Sequence, residues 1–238
     1  MSEHVIQKVL ITGANGFIGG ALMRFYQNQG QDVVGVDLVG NGADIVEGDI
    51  SQPNSITQLL DECDVIIHTA GRTHIMNESS VCPIDEYRHV NTEGTIELAR
   101  LAANSGVKRF VFLSSIKVNG ESSREGYPFT NSSIPSPTDP YAFSKLKAEN
   151  ILTSISKKEN IEVVIIRPSL IYGPNVGANF LNLIKLIDLG IPIPLSGIKN
   201  KRSLLYVENF VSFITVCIEK KAAANKIFLL SDAHPIST

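Results

Sequence analysis

Close to its start the chain passes from a strand pattern through a glycine-rich turn into a helix pattern, and few folds accommodate that succession. Lys8 to Thr12 is a short run of aliphatic and β-branched residues; Gly13-Ala14-Asn15-Gly16-Phe17-Ile18-Gly19 follows directly, and an amphipathic stretch extends from Phe17 to Gln29. A strand that feeds a helix in this way opens a β-α-β unit, where residues without a Cβ let the backbone approach a pyrophosphate and the free amides of the helix start attract its charge. Glycines three apart are weak evidence alone. At the opening of such a unit they predict a phosphate-binding turn, set against the plainer reading of a structural turn.

The rest of the chain keeps that rhythm. Asp32 to Asp37, Asp64 to His68, Arg109 to Ser114 and Glu162 to Arg167 read as buried strands, and Ser55 to Glu62, Asp85 to Ser105 and Pro140 to Lys158 read as helices between them. Apolar strands separated by helices imply a parallel sheet covered on both faces, so the expected class is α/β, doubly wound. After Arg167 the pattern breaks at Pro168, Gly173, Pro174, Gly177, Pro192 and Pro194, around one helical stretch from Asn179 to Leu189. We expect a main domain over 1–170, a small irregular lobe over 171–203, and a return to the main sheet over 204–238 through a helix at Val207 to Lys221 and a strand at Lys226 to Leu230. Ser122 to Asp139, rich in Ser and Pro, reads as a long functional loop.

Composition narrows the partners. Hydrophobic residues are 43% and charged residues 19% of 238, enough to fill a core, and the net charge of -3 offers no basic field for nucleic acid. No run approaches the about 18 apolar residues of a membrane helix, and Met1-Ser2-Glu3-His4 leads into a strand without a signal-like segment. The three cysteines Cys63, Cys82 and Cys217 are odd in number and far apart, which argues against a disulfide framework and a zinc site. No metal, no nucleic acid, no membrane and a cytoplasmic home are the expectations.

The second strand ends in Val36-Asp37, which places a carboxylate roughly 20 residues beyond the glycine turn, where it can accept bonds from both ribose hydroxyls of a dinucleotide. A 2′-phosphate would meet like charge there, so NAD is expected over NADP; an Asp37 that merely caps its strand would leave that choice open. Asp49, in Gly48-Asp49-Ile50, can accept from an adenine amino group or can be a solvated turn aspartate.

Asp139-Pro140 is a strong helix start, an N-cap followed by proline in the first turn. Tyr141 and Lys145 then lie four residues apart on one helix face. A phenol of ordinary pKa about 10 is a poor base near neutrality, and an adjacent ammonium would lower it by favouring phenolate. Tyr and Lys at this spacing more often mean a solvated face. Ser114-Ser115 and His68-Thr69-Ala70-Gly71 alter that balance, because both stand at carboxyl ends of strands, where open α/β sheets bind ligands. Either serine could hold a substrate oxygen, or be an ordinary strand-end serine. Arg72, His74 and Met76 follow the second of these strands and face either a substrate or plain solvent.

Thr12-Gly13-Ala14-Asn15-Gly16-Phe17-Ile18-Gly19, with Ser115, Tyr141 and Lys145, resembles the extended short-chain dehydrogenase/reductase family of nucleotide-sugar epimerases, reductases and dehydratases. The likeness covers nearly the whole chain and implies a Rossmann-type doubly wound parallel sheet. It implies a cofactor site for NAD built from Gly13, Asn15, Gly16, Phe17, Ile18, Gly19, Asp37, Asp49, Ile50, Thr69, Ala70, Gly71, Asn91, Tyr141 and Lys145. It also implies a UDP-sugar site touched by Ser115, Asn179 and Arg202, to which Arg72 is added by its place after the strand that ends in His68; a surface salt bridge is the plainer reading of Arg202. Aligning Val118-Asn119-Gly120 with the family's Val-Tyr-Gly selects Ser115 over Ser114.

The family's 4,6-dehydratases carry an Asp-Glu pair just after that hydroxyl residue, where this chain has Ile116-Lys117, which disfavours a dehydratase. The strings Phe112 to Gly120 and Arg202 to Val207 look closest to a bacterial surface-polysaccharide subgroup, described as UDP-glucose 4-epimerase-like or as reductases of UDP-4-keto-6-deoxy-N-acetylhexosamine. Family members generally continue well beyond Leu230, so part of the substrate lobe is expected to be absent or donated differently. The resemblance also implies a homodimer paired through the helices at Asp85 to Ser105 and Pro140 to Lys158. The expected function is NAD-dependent redox chemistry at C4 of a UDP-sugar, as epimerase or 4-keto reductase. Its rival is a non-catalytic NAD-binding sensor or assembly protein using the same glycine turn.

Overall fold

A computed structural model describes residues 8–41, 44–73, 83–189 and 200–237. In chain order its elements are β1 (Lys8–Thr12), α1 (Phe17–Asn28), β2 (Asp32–Asp37), β3 (Ile45–Glu47), α2 (Thr57–Leu60), β4 (Val65–His68), α3 (Pro83–Tyr87), a π-helical segment (Arg88–Gly94), α4 (Thr95–Asn104), β5 (Arg109–Leu113), a short 3-10 turn (Ile116–Val118), α5 (Pro140–Lys158) and β6 (Glu162–Pro168). They continue with β7 (Leu170–Tyr172), α6 (Ala178–Asp188), β8 (Leu204–Tyr206), α7 (Val207–Glu219) and β9 (Ile227–Leu230).

Seven strands form one sheet in the order β3-β2-β1-β4-β5-β6-β9, each pair parallel. The strand order reverses between β1 and β4, and in open α/β sheets a ligand cleft lies at the carboxyl ends on either side of such a reversal. Side-chain alternation accounts for the two layers. Val9 and Ile11 of β1 pack toward α1 and α7, whereas Leu10 faces the opposite cluster with α4 and α5. With both faces covered, the strands carry apolar runs rather than an alternating pattern.

Three strands escaped the sequence reading. β3 is three residues long at the sheet edge, and β7 and β8 pair with each other in a separate two-stranded ribbon; runs this short carry no readable period. The helix expected over Asp85 to Ser105 is interrupted by the π-helical turn at Arg88–Gly94, and the one expected over Ser55 to Glu62 is a 3-10 turn followed by four helical residues. No helix among the described residues is long and apolar enough to cross a membrane. Among the same residues, no group of three or more His, Cys, Asp or Glu side chains is placed to hold a metal ion.

Candidate active site

The glycine turn joins β1 to α1 by close backbone packing. Gly13 has φ of 73°, and a Cβ on it would stand 2.8 Å from the Ala70 amide nitrogen; one on Gly19 would stand 2.0 Å from the Gly13 carbonyl oxygen. The loops after β1 and β4 are therefore in contact. Thr69 Oγ1 donates to the Thr12 carbonyl at 2.6 Å, and the Ala70 amide donates to Thr12 Oγ1 at 3.3 Å.

Asp37, at the end of β2, accepts the Asn15 amide at 2.9 Å and the Leu38 amide at 2.8 Å, which ties the turn to the neighbouring strand. Asp49 accepts the Ser51 amide at 2.8 Å, so one of its oxygens holds its own turn. Ile50 is buried, and its carbonyl oxygen lies 2.5 Å from where a Cβ on Gly94 would stand.

The residues of this turn fit a dinucleotide. Gly16 starts α1 with no side-chain cap and no acidic residue in the first turn. The first-turn N–H groups of a twelve-residue helix are thereby left to an external acceptor, and an anion is the acceptor that such a terminus favours.

α5 begins as the sequence predicts: Asp139 accepts the Ala142 amide at 2.7 Å and Pro140 occupies the first turn. Tyr141 and Lys145 both turn toward the end of β5, where they meet different groups. The Tyr141 phenol is hydrogen-bonded to the Ser115 side chain. Lys145 is 3% exposed; its ammonium donates to the Leu113 carbonyl at 2.9 Å and rests 4.6 Å over the Phe112 ring. A Cβ on Gly71 would lie 3.3 Å from that nitrogen, so Lys145 stands against the loop after β4.

The expected electrostatics of the Tyr-Lys pair need correction. Burial pushes the Tyr141 phenol up to about 12, opposed by the Ser115 bond and reinforced by Asp139 and Tyr87. The ammonium of Lys145 is not among the groups that shift the phenol; burial brings Lys145 itself down to about 8, with Glu149 acting against it. In this structure the hydroxyl of Ser115, rather than the ammonium, favours phenolate.

A buried network separates the two serines. Ser114 donates to Glu149 Oε1. Glu149, on α5, receives Arg167 Nε at 3.0 Å and 3.2 Å on its two oxygens, and Arg167 also donates to Asn119 Oδ1 at 3.0 Å. Ser114 thus belongs to the core network and Ser115 to the cleft. Glu149 was missed in the sequence although it lies four residues after Lys145; a charged Arg167 at the end of an apolar strand was the signal that a buried partner existed.

Asn91 is 1% exposed. Its carbonyl accepts the Arg72 amide at 2.7 Å, and its amide donates to the Arg72 carbonyl at 2.9 Å and to Ser144 Oγ at 3.1 Å. It clamps the loop after β4 onto α5. The Arg72 guanidinium lies 5.8 Å over the Tyr87 ring, whose edge meets Tyr141 with ring centres 6.1 Å apart.

His68, which the sequence placed at the end of its strand, is fully buried between Thr12 Oγ1 at 2.7 Å and Thr95 Oγ1 at 2.9 Å. Burial and the nearby Lys145 lower its pKa to about 3.

The substrate-side residues are not all drawn together. Arg202 exchanges backbone hydrogen bonds with Ile236, at 2.7 Å and 3.0 Å, and its residue is exposed. Asn179 lies in the first turn of α6, but its side chain, like His74 and Met76, is outside the described residues.

The profile of the NAD dependent epimerase/dehydratase family matches residues 9–230. The chain belongs to that family. Membership makes NAD the cofactor, in agreement with the uncapped helix start and the acidic residue ending β2.

Among relatives in the family, a UDP-glucose 4-epimerase of Vibrio cholerae is 41% identical over 238 residues, covering 98% of this chain and 73% of that protein. A dTDP-D-glucose 4,6-dehydratase of Mus musculus is 30% identical, covering 88% and 64%. The structure of MoeE5 in complex with UDP-glucose and NAD superposes with a TM-score of 0.84 at 24% identity, covering 96% of this chain and 77% of that one, a likeness of fold.

Proposed function

We propose that the chain performs NAD-dependent redox chemistry at C4 of a UDP-sugar, as a nucleotide-sugar 4-epimerase or 4-keto reductase in the making of a surface polysaccharide. The observation that carries this reading is the Tyr141 phenol bonded to Ser115 at the carboxyl end of β5, with Lys145 beside Gly71. The 41% identity to a UDP-glucose 4-epimerase supports the substrate class. NAD, when bound, supplies the acceptor and donor of hydride. Gly13, the turn from Asn15 to Gly19, Asp37, Asp49, Ile50, the loop from Thr69 to Gly71 and Asn91 would hold it, and Lys145 would bind its ribose.

Ser115 orients the sugar hydroxyl toward Tyr141, and Tyr141 takes its proton as the carbinol becomes a ketone and returns one in the reverse step. The bond from Ser115 lowers the cost of the phenolate formed on the way. Ile116-Lys117 supplies no acid pair for eliminating water, which favours these reactions over dehydration. Arg72, Asn179 and Arg202 bind the sugar nucleotide in this reading, with the stretch over 171–203 as its lobe. The chain pairs as a homodimer through α4 and α5; Phe143, 56% exposed on α5, supports that face.

The test uses purified protein with UDP-glucose, UDP-N-acetylglucosamine and a UDP-4-keto-sugar plus NADH. Interconversion of 4-epimers without net NADH loss identifies an epimerase, whereas stoichiometric NADH loss with the keto-sugar alone identifies a reductase. Tyr141→Phe is expected to reduce either rate about 10²-fold to 10⁴-fold, the usual value of a positioned acid or base. Unchanged turnover in that variant refutes the role given to the phenol.

A further inference from the structure

Lys117 occupies the cleft-side turn after β5 and takes no part in the chemistry described above, yet it touches both Ser115 and the residue that caps the helix of Tyr141. Its backbone amide donates to Ser115 Oγ at 3.2 Å. Its ammonium donates to Asp139 Oδ2 at 2.8 Å, and the other oxygen of Asp139 caps the helix that carries Tyr141. The same ammonium reaches Glu121 Oε1 at 3.3 Å, which also receives the Thr138 hydroxyl at 3.3 Å.

From this geometry we infer that Lys117 is a positioning residue for proton transfer, locking the turn that bears Ser115 to the helix that bears Tyr141 and neutralising the carboxylate that caps that helix. The inference rests on the proposed role of Tyr141.

The electrostatic half follows from who faces the phenol. Among the described residues these are the Ser115 hydroxyl from the turn after β5, Asp139 from its own helix start, and Tyr87 from α3. Arg72 is stacked behind Tyr87, with Glu86 4.0 Å from it, and Lys145 lies one turn further along α5. Asp139 and Tyr87 both oppose phenolate, and Lys117, like Lys145, does not act on the phenol directly; a cation held on Asp139 works through that carboxylate, reducing the larger of these penalties. Partial burial opposes the charge on Lys117, but the bonds to Asp139 and Glu121 outweigh it and raise its pKa, so it stays charged beside its partner throughout the neutral range.

The geometric half follows from chain separation. Ser115 and Tyr141 are joined through a long loop whose ends are tied by the Ser136 amide on the Val118 carbonyl at 3.0 Å and by the Lys117 to Asp139 bond, which spans 22 positions of the chain.

The test is a double-mutant cycle read from the pH dependence of kcat/KM, with a UDP-sugar as substrate and NAD present. When a hydroxyl is oxidised, the active form carries phenolate; with the phenol pushed up to about 12, the assay range from about pH 7 to 10 lies on its rising limb, where a shift of the limb reads as a proportional change in kcat/KM. Lys117→Met removes the ammonium from Asp139 and is expected to move that limb to higher pH by about half a unit to one unit, a fall in kcat/KM of about threefold to tenfold along it, a partly exposed pair being screened. Lys117→Arg is expected to restore the wild-type limb. Asp139→Asn keeps the cap, since Asn serves as well as Asp there, and is expected to move the limb the other way; Lys117→Met combined with Asp139→Asn returns it close to wild type.

A purely structural Lys117 predicts a lower rate in Lys117→Met, no gain in Asp139→Asn and no recovery in the double variant, and that result overturns the inference. Turnover retained by Tyr141→Phe overturns the site reading, and this inference with it; an inactive Tyr141→Phe alongside unchanged kcat/KM in Lys117→Met overturns this inference alone.

Discussion

Glu149→Ala removes the centre of the buried network that holds β5, α5 and β6 together at the floor of the cleft. The carboxylate is 2% exposed and its partner Arg167 is 3% exposed. It receives two bonds from Arg167 Nε, at 3.0 Å and 3.2 Å, another from Nη2 at 2.5 Å, and the Ser114 hydroxyl. The truncated protein keeps a buried guanidinium whose remaining described acceptor is Asn119 Oδ1 at 3.0 Å.

Removing one member of a buried, hydrogen-bonded ion pair costs about 3–5 kcal/mol, because the other charge stays desolvated. For a chain of this length each kcal/mol corresponds to about 2–4 °C in Tm, so a fall of roughly 6–20 °C is expected. Differential scanning calorimetry with NAD absent measures it directly. Glu149→Met with Arg167→Met removes both charges together and is expected to cost distinctly less than the single truncation. A single variant that melts within about 2 °C of wild type, or a double variant no better than the single, refutes the argument that the uncompensated charge carries the cost.

Two further outcomes follow from the site. His68 titrates near 3 in the folded protein, lowered by burial first and by Lys145 second, and near 6.5 when unfolded. The unfolded chain alone takes up a proton in that window, so stability is lost as pH falls from 6.5 toward 3, by at most about 1.4 kcal/mol per pH unit from this group. Urea unfolding of wild type and His68→Gln at several pH values in that window should give a shallower acid slope for the variant, and equal slopes would show that His68 does not contribute. Gly19→Ala places a methyl where the Gly13 carbonyl oxygen would be 2.0 Å away, so the turn must open. Calorimetric titration should show NAD binding lost in that variant and retained in Gly177→Ala, which meets nothing within 4 Å; equal affinity in the two would refute the tight-turn account.

Much of the fold was legible because its cues are local. The run from Lys8 to Thr12 and the glycines after it define β1 and the start of α1 within a dozen residues. Asp139-Pro140 defines the start of α5, and the helix ends at Lys158 as its pattern ends. The short strands β3, β7 and β8 were not legible, because three residues carry no period and their existence depends on a partner strand. The π-helical turn carrying Asn91 was hidden for a related reason. Its hydrogen-bond shift leaves no mark in composition, yet it accompanies the side chain that clamps Arg72.

At the site, residue types and spacing were enough to nominate Tyr141, Lys145 and one of two adjacent serines, and the family resemblance selected Ser115, but their mutual orientation was not legible. The sequence put Tyr141 and Lys145 one helical turn apart and suggested that the ammonium tunes the phenol. In the folded protein Lys145 is drawn off by the Leu113 carbonyl and the Phe112 ring. Those partners lie 32 and 33 positions away in the chain, beyond any local pattern.

By itself, then, the order of residues decided what nearest neighbours decide: where strands and helices begin, which turn must be glycine, which aspartate caps α5, and that both faces of the sheet are covered. Tertiary structure supplied the physical reason for the choice of Ser115 that the family resemblance makes, because Glu149, 35 positions from Ser114, takes one hydroxyl into the core and leaves the other beside Tyr141. It also decided the proton affinities of Tyr141, Lys145 and His68, since these depend on how much water and which charges surround a group. Burial is a property of the packed chain, and no residue carries it in its own chemistry.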